Sequence, residues 1–240
     1  MNDLYLRGSI GLLGLAILGG GLWLTPPQPA ETPSLASPDS DPYVVCSVGE
    51  SGGGFTSRLG IVGQDGGRLI VVGGSSEPLD FEAEEGHYEV AIEELAELGV
   101  TPVLVEAPAA AATYSRAGAA AAVGGCGPAR SDPLAVLGMS TAASDRSTLM
   151  LVNPFAVEAS LRLTSASEFG VDTPADLERV RVPPFTSIEV VLDQVMAGRQ
   201  SLTFSVSADT GLVAAGMLRI CAEDVATAEA VPGSTLWFFP

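Results

Sequence analysis

The sequence contains no lysine, so all 11 of its basic residues are arginines. Schiff-base catalysis, a Walker-type phosphate-binding loop and a Ser-x-x-Lys nucleophile each need a lysine, and the sequence excludes all three. The 11 basic residues stand against 29 acidic ones, which gives a formal net charge of −18. A surface this acidic repels nucleic acid and anionic lipid headgroups, so we expect no nucleic-acid partner.

Other catalytic residue types are also scarce. The only histidine, His87, is expected in a solvated turn before a strand, so a Ser-His-Asp triad or a histidine-rich metal site is not supported. Gly138–Ala142 (GMSTA) falls short of the G-x-S-x-G elbow, and the Gly-rich Gly49–Gly54 lacks the lysine and helix of a phosphate site. We expect no catalytic residue, cofactor or metal site, unless a partner chain completes one.

One long apolar run is present near the N-terminus. Gly8–Leu24 contains 17 consecutive uncharged residues, which as a helix would reach about 26 Å, close to the thickness of a hydrocarbon core. We predict a single-pass transmembrane anchor over 8–24, with residues 1–7 cytoplasmic because Arg7 is the nearest basic flank. The alternative is a signal peptide cleaved near Ser34–Ala36. Both interpretations place the rest of the chain outside the cytoplasm.

Residues 25–42 are rich in proline and separate the apolar run from the body of the chain. Six prolines occur among Ser, Thr and acidic residues in this segment. Proline fixes φ and removes a backbone donor, so the segment is predicted to be an extended, semi-rigid linker.

The body of the chain alternates apolar and polar residues with a period of two. Leu202, Phe204 and Val206, for example, are separated by Ser and Thr, the pattern of a half-buried strand. Frequent Gly (28) and Pro (17) favour short strands and turns. The Ala-rich run 107–123 is also interpreted as strand. The prediction is a mostly β protein in which two tandem Ig-like antiparallel β-sandwiches follow the transmembrane helix.

Two stretches of the body resemble each other. Gly86–Leu95 (GHYEVAIEEL) aligns with Thr186–Val195 (TSIEVVLDQV), and each is preceded by two apolar strands around a turn. This similarity predicts an internal repeat. The domain boundaries are drawn at residues 43–126 and 127–225, with 226–240 as a C-terminal tail or edge strand.

Four short motifs follow one another in the second half of the chain. They are an L-x-L-x-N-P turn at Leu149–Pro154, a strand at Ala159–Leu163, a V-P-P turn at Val182–Pro184 and a strand at Ile188–Leu192. Their order resembles a family of actinobacterial envelope proteins known only as a domain of unknown function (DUF5719-like). The resemblance covers most of residues 43–240 and implies tandem β-sandwiches in a single-pass envelope protein without an assigned activity. It leaves the role of Trp237–Pro240 open.

Three cysteines are consistent with one disulfide and one remaining thiol in an exported protein. Cys46 and Cys126 mark the start and end of the first repeat, and we favour this pair. A Cys126–Cys221 bond closing the second repeat is the alternative, because spacing alone does not determine connectivity.

Acidic residues cluster in two loops, which provide the candidate ligand sites. These are Glu82, Glu84 and Glu85 before His87, and Asp172, Asp176 and Glu178 in the second repeat. We expect a structural or interaction protein of the cell envelope without catalytic activity, bound to the membrane by its helix and to another envelope protein or a cell-wall component. The alternative is a cation- or glycan-binding module that uses these acidic loops.

Overall fold

Alternating apolar residues form the strands of two β-sandwiches. In the strand that contains Leu202, Phe204 and Val206, these three side chains are buried, whereas Thr203 and Ser205 between them are only half-buried. Antiparallel pairing joins the strands into several sheets, and the helices are short. The prediction of a mostly β protein is therefore confirmed.

The structure is a computed structural model that describes residues 43–47, 50–51, 56–63, 66–74, 77–95, 99–100, 102–107, 111–117, 122–143, 145–221 and 224–232. The first sandwich contains β1 Tyr43–Cys46, β2 Glu50–Ser51, β3 Thr56–Val62, β4 Gly67–Val71, β5 Leu79–Phe81, β6 His87–Ala91, α1 Ile92–Leu95, β7 Gly99–Val100, β8 Val103–Glu106, β9 Ala111–Ala117 and β10 Ala122–Gly125.

The second sandwich follows directly in the chain. It contains β11 Leu134–Met139, β12 Asp145–Asn153, β13 Ala159–Ser167, β14 Gly170–Asp172, a 3-10 turn Ala175–Leu177, β15 Val180–Val182, β16 Thr186–Val191, α2 Leu192–Val195, β17 Leu202–Thr210, β18 Ala214–Cys221, β19 Asp224–Glu229 and β20 Val231–Pro232. Both sandwiches belong to one compact unit.

Each sandwich consists of two main antiparallel sheets. In the first, sheet I has the order β1-β8-β4-β5 and sheet II the order β10-β9-β3-β6. In the second, sheet III has the order β14-β13-β17-β11-β20, with β15 also paired to β13, and sheet IV has the order β16-β12-β18-β19. The separate pair β2-β7 completes the described strands.

Each sandwich encloses its own apolar core. Leu59 from sheet II and Val105 from sheet I lie in the first core, and the stacked rings of Phe81 and Tyr88, with centroids 4.7 Å apart, close one side of it. The larger second core includes Leu151 from sheet IV and Phe204 from sheet III. Burial of such side chains, at about 1.5–3 kcal/mol each, is the main force that holds the two sheets of a sandwich together.

The strand connectivity differs from the Ig-like expectation in one respect. β1 pairs with β8 in sheet I, whereas the next long strand, β3, lies in sheet II. In an Ig constant domain the first two strands share a sheet. The second sandwich has the same arrangement, because β11 pairs with β17 in sheet III and β12 lies in sheet IV. As a result of this connectivity, β1 is a strand of sheet I. The outer surface of sheet I contacts the second sandwich.

The Ala-rich run contains the strands β9 and β10, in agreement with its interpretation as strand. Alanine favours helix by intrinsic propensity, but β9 is held between β3 and β10 by two antiparallel ladders. Tertiary pairing therefore decides the conformation of this segment. The short helices α1 and α2 occur at equivalent places directly after β6 and β16.

The chain termini lie largely outside the description. The anchor over 8–24, the linker over 25–42 and Trp237–Pro240 all fall outside the described residues. Within residues 43–232 as described, no helix has the length and apolar character needed to cross a membrane. Part of the expected tail or edge strand is described, since residues 226–232 lie in β19 and β20 at two sheet edges.

Candidate functional site

A third apolar cluster lies between the two sandwiches. Val45 and Leu104 project from the outer surface of sheet I, and they pack with Val152 and Ala214 from sheet IV and Ala129 from the connecting segment. At the border of this cluster the rings of Tyr43 and Phe155 meet edge to face, with centroids 5.2 Å apart. Sheet I is therefore covered on both of its surfaces, by its own core and by the second sandwich.

Short-range bonds also fix the segment that connects the sandwiches. Cys46 and Cys126 form a disulfide with Cα atoms 4.4 Å apart, the pair favoured from the sequence. Immediately beside it, Val45 and Gly127 exchange two backbone hydrogen bonds of 2.7 and 3.0 Å. Arg130 exchanges another such pair with Val213 in the second sandwich. The connecting segment is thus bonded to both sandwiches, which restricts their relative motion.

Asn153 ties together two turns at one end of the second sandwich. Its side chain is fully buried at the end of β12. Nδ2 donates to the carbonyl oxygens of Val157 at 2.8 Å, Val182 at 3.0 Å and Pro183 at 3.1 Å, while Oδ1 accepts from the amide of Phe155 at 3.1 Å. An amide group supplies two N–H donors and an acceptor, so this one side chain bonds both turns at once.

The turns that Asn153 holds present two apolar side chains to solvent. Val157 is 66% exposed and Phe185 is 55% exposed. Phe185 has a φ of 53°, in the left-handed region that bulky residues rarely adopt, and its amide donates to the Phe155 carbonyl at 3.0 Å. We call Val157 and Phe185 the turn surface. Backbone strain of this kind clusters at functional sites, which makes Phe185 a candidate contact residue.

A second exposed aromatic residue lies near the far end of β13. Phe169 is 72% exposed in the β13–β14 turn, and the Arg199 guanidinium carbon lies 4.6 Å from its ring centroid. The adjacent Glu168 carboxylate accepts hydrogen bonds from the amides of Gln200 at 2.9 Å and Ser201 at 3.2 Å. These amide bonds, first of all that from Gln200, lower the pKa of Glu168. The carboxylate therefore fixes the loop before β17.

The first acidic loop predicted as a candidate site is solvated. Glu82, Glu84 and Glu85 are all exposed, and Glu84 forms a backbone bridge with His87. Glu85 has a φ of 52°, so its place in the loop is a tight turn before β6. His87 is exposed, as expected, with Nε2 4.0 Å from a Glu89 carboxylate oxygen.

The second acidic loop is equally open to solvent. Asp172 lies at the end of β14, Asp176 in the 3-10 turn and Glu178 directly after it, and all three are exposed. Across the part of the chain that the structure describes, no three His, Cys, Asp or Glu side chains converge into a metal-binding group. The described geometry thus provides no contact that favours the cation version of the acidic-loop hypothesis.

Ser140, considered and rejected as a nucleophile, has a structural role. Its hydroxyl donates to the Arg199 carbonyl at 3.1 Å, and its own carbonyl accepts from the Ser147 hydroxyl at 2.6 Å. These bonds link the end of β11 to β12 and to the loop before β17.

Sequence reasoning missed the turn surface and the contact between the sandwiches. The signal for the first was the N-P-F and P-P-F turns at Asn153–Phe155 and Pro183–Phe185, in which an aromatic residue follows proline. The signal for the second was the unbroken apolar run Val103–Val105, because a strand covered on both surfaces does not alternate.

The protein is therefore an antiparallel β protein in which two sandwiches pack against each other through an apolar cluster. The chain belongs to a family of unknown function (DUF5719), whose profile matches residues 100–233. No curated protein matches the chain. Among solved structures, Thermotoga maritima 1070 is similar to part of it, with 15% identity over 44% of this chain and 98% of that chain and a TM-score of 0.36.

Proposed function

We propose that this protein is a membrane-anchored interaction protein of the actinobacterial cell envelope, with its body outside the cytoplasm and without catalytic activity of its own. Its partner is another envelope protein or a cell-wall component, and the turn surface is the contact. The uncharged run at 8–24 and the proline-rich linker that follows it support the anchored arrangement.

The observation that carries this proposal is the conformation of Phe185. A left-handed φ at a bulky residue costs roughly 1–3 kcal/mol, and an exposed ring gives little burial energy in return. Asn153, Val157 and Phe155 hold the backbone in this conformation through hydrogen bonds. The strain at Phe185 does not stabilise the isolated fold. It therefore supports a role of Phe185 in a complex, where aromatic side chains are common contact residues.

We also propose that the two sandwiches are tandem repeats, and the correspondence of their strand orders supports this. The order β1-β8-β4-β5 corresponds to β11-β17-β13-β15, and β10-β9-β3-β6 corresponds to β19-β18-β12-β16. Among the residues that the structure describes, the two left-handed residues other than glycine are Glu85 and Phe185, which occupy equivalent positions before β6 and β16. Glu85 in the first repeat carries a solvated carboxylate, whereas Phe185 in the second carries an exposed ring. We therefore assign binding of the partner to the second repeat.

The disulfide supports the extracytoplasmic location. Disulfides persist in oxidising compartments and are rare in the cytoplasm. Labelling of intact cells with a membrane-impermeant maleimide tests this point, using a cysteine introduced at exposed Ala143 in a Cys221→Ser background. Labelling without cell lysis is expected, and labelling only after lysis contradicts the proposed topology.

A comparison of native membranes tests the proposed contact. Full-length protein and its Phe185→Asn variant are crosslinked in cells, purified through a tag and compared by quantitative mass spectrometry. We expect one partner to be enriched with the parent protein and at least tenfold depleted with the variant, since interface aromatic residues commonly contribute about 2 kcal/mol or more. Gln194→Asn, on the exposed side of α2, is the control and is expected to retain the partner. Equal recovery with all three proteins contradicts the proposal.

A further inference from the structure

A groove of about 500 Å³ opens where the two sandwiches meet. One wall consists of Gly124 and Gly125 at the end of β10 and of the connecting segment through Gly127, and the other consists of residues around Val231 in β20. The volume falls within the range of ligand sites in proteins, and contacts between domains are common places for such sites. The groove is separate from the turn surface.

Sheet edges border the groove on both sides. β10 is an edge strand of sheet II, where its described partner is β9, and β20 is an edge strand of sheet III, where its described partner is β11. Edge strands present backbone N–H and C=O groups that an added strand can bond. An extended peptide is therefore the ligand that fits these walls by backbone geometry.

Two glycines in the first wall of the groove have open space beside their backbones. A Cβ added at Gly125 or Gly127 would meet no atom within 4 Å, so both backbones face free space. A glycine at the end of a strand or directly after it permits another backbone to approach closely, which a side chain would prevent. A side chain introduced at either glycine therefore meets no clash in the protein itself.

Arg130 supplies the charge of the groove. It is the only charged residue among the described residues of the lining. No carboxylate lies within 4.0 Å of its guanidinium in the part of the chain covered by the structure, although the protein carries a net charge of −18. A cation left unpaired in such an acidic chain favours an anionic ligand, and arginine is well suited to bind a carboxylate.

Thr227 adds an unsatisfied polar atom at the edge of the groove. Its hydroxyl oxygen is buried without a hydrogen-bond partner in the described structure, beside Gly124. Rotation about χ1 exchanges the hydroxyl with the methyl group, which offers the hydroxyl to a ligand without backbone movement. Buried polar atoms without a partner are uncommon, and a ligand in the groove would supply one for this hydroxyl.

We propose that the groove between β10 and β20 binds an extended peptide segment that carries a carboxylate, with Arg130 on the carboxylate and the edge of β10 along the peptide backbone. The described lining contains no aromatic residue, so it lacks the stacking surface typical of sugar-binding sites. The chemistry of the groove therefore favours a peptide over a glycan.

Fluorescence polarisation with the purified full-length protein tests this proposal. The probe is a pool of labelled octapeptides of Val, Thr, Ser and Ala with one central Asp or Glu, and the matched pool carries Asn or Gln instead. We expect saturable binding of the acidic pool and at least tenfold weaker binding of the neutral pool. Arg130→Gln is expected to weaken binding of the acidic pool by at least tenfold and to abolish the difference between the pools.

Two glycine variants separate binding from folding. Gly125→Val and Gly127→Val are expected to abolish binding with little change in the melting temperature, because each new side chain enters open space. Arg146→Gln, an exposed arginine elsewhere on the second sandwich, is the control and is expected to bind normally. Equal binding of both pools, unchanged binding in the glycine variants, or a change of oligomeric state instead of peptide affinity in Arg130→Gln overturns the proposal.

Discussion

The side-chain nitrogen of Asn153 lies 3.0 Å from the carbonyl oxygen of Val182, 29 residues later in the chain. This bond connects the turn after β12 to the turn before β16, and the same nitrogen also serves the carbonyls of Val157 and Pro183. The conformation of the turn surface therefore depends on a single buried side chain.

Asn153→Ala is expected to lower the free energy of unfolding by about 3 kcal/mol, because it leaves several backbone groups without their partner. Chemical denaturation at neutral pH measures the change. Thr186→Val removes one exposed hydrogen bond to Pro183 in the same turn and is expected to cost less than about 1 kcal/mol. A similar cost for the two variants would show that Asn153 does not hold the turns.

The strain at Phe185 predicts an unusual order of stability among variants. Phe185→Asn is expected to be more stable than Phe185→Val by about 1–2 kcal/mol, although valine resembles the native residue more closely in polarity. Asparagine tolerates a left-handed φ, whereas a β-branched residue does not. Thermal melting of the two variants checks this order, and the reverse order would contradict a left-handed backbone at this position.

The disulfide is expected to contribute substantially to stability because it closes a long loop. Its cysteines are separated by 80 residues, for which the chain-entropy model gives about 4–5 kcal/mol. The double variant Cys46→Ser, Cys126→Ser is expected to lose that amount in chemical denaturation. The control Cys221→Ser is expected to keep the Cys46–Cys126 peptide in non-reducing mass spectrometry, and a Cys126–Cys221 peptide from the parent protein would refute the pairing.

Glu168 gives a pH dependence whose sign follows from its lowered pKa. The charged carboxylate is favoured in the folded protein by the amide of Gln200. Its contribution is therefore complete above the ordinary pKa of 4.5 and is lost as the pH falls through the lowered folded value. Glu168→Gln is expected to melt below the parent protein at pH 7, with a difference that disappears in acid. The exposed Glu178→Gln is the control, and an equal difference at both pH values would contradict this role.

The sequence predicted the strands that face one core and did not predict how the sheets associate. Leu202, Phe204 and Val206 alternate because sheet III has one surface in its core and the other towards water. Leu104 lies in an unbroken apolar run, and nothing local shows that its outward side chain belongs to the same cluster as Val152 of the other sandwich. Pairings such as that of β1 with β8 join residues about 60 positions apart, so local patterns do not determine them.

The candidate site was predictable only in part. The N-P-F turn was visible as a motif, and it marked where the chain turns. The role of Asn153 could not be predicted from the sequence. Its partners Val182 and Pro183 accept through backbone carbonyls, which every residue type provides. The acidic loops were predicted as ligand sites because acidic residues cluster in them. Their side chains are exposed, which follows the general rule that clustered like charges are solvated.

Photo-crosslinking in intact cells tests whether the turn surface contacts a partner in the envelope. A photoreactive amino acid is placed at position 185 of the full-length protein, and in a parallel strain at exposed position 194. We expect one discrete crosslinked product from position 185 that is absent from position 194. No product from position 185, or the same products from both positions, would contradict it.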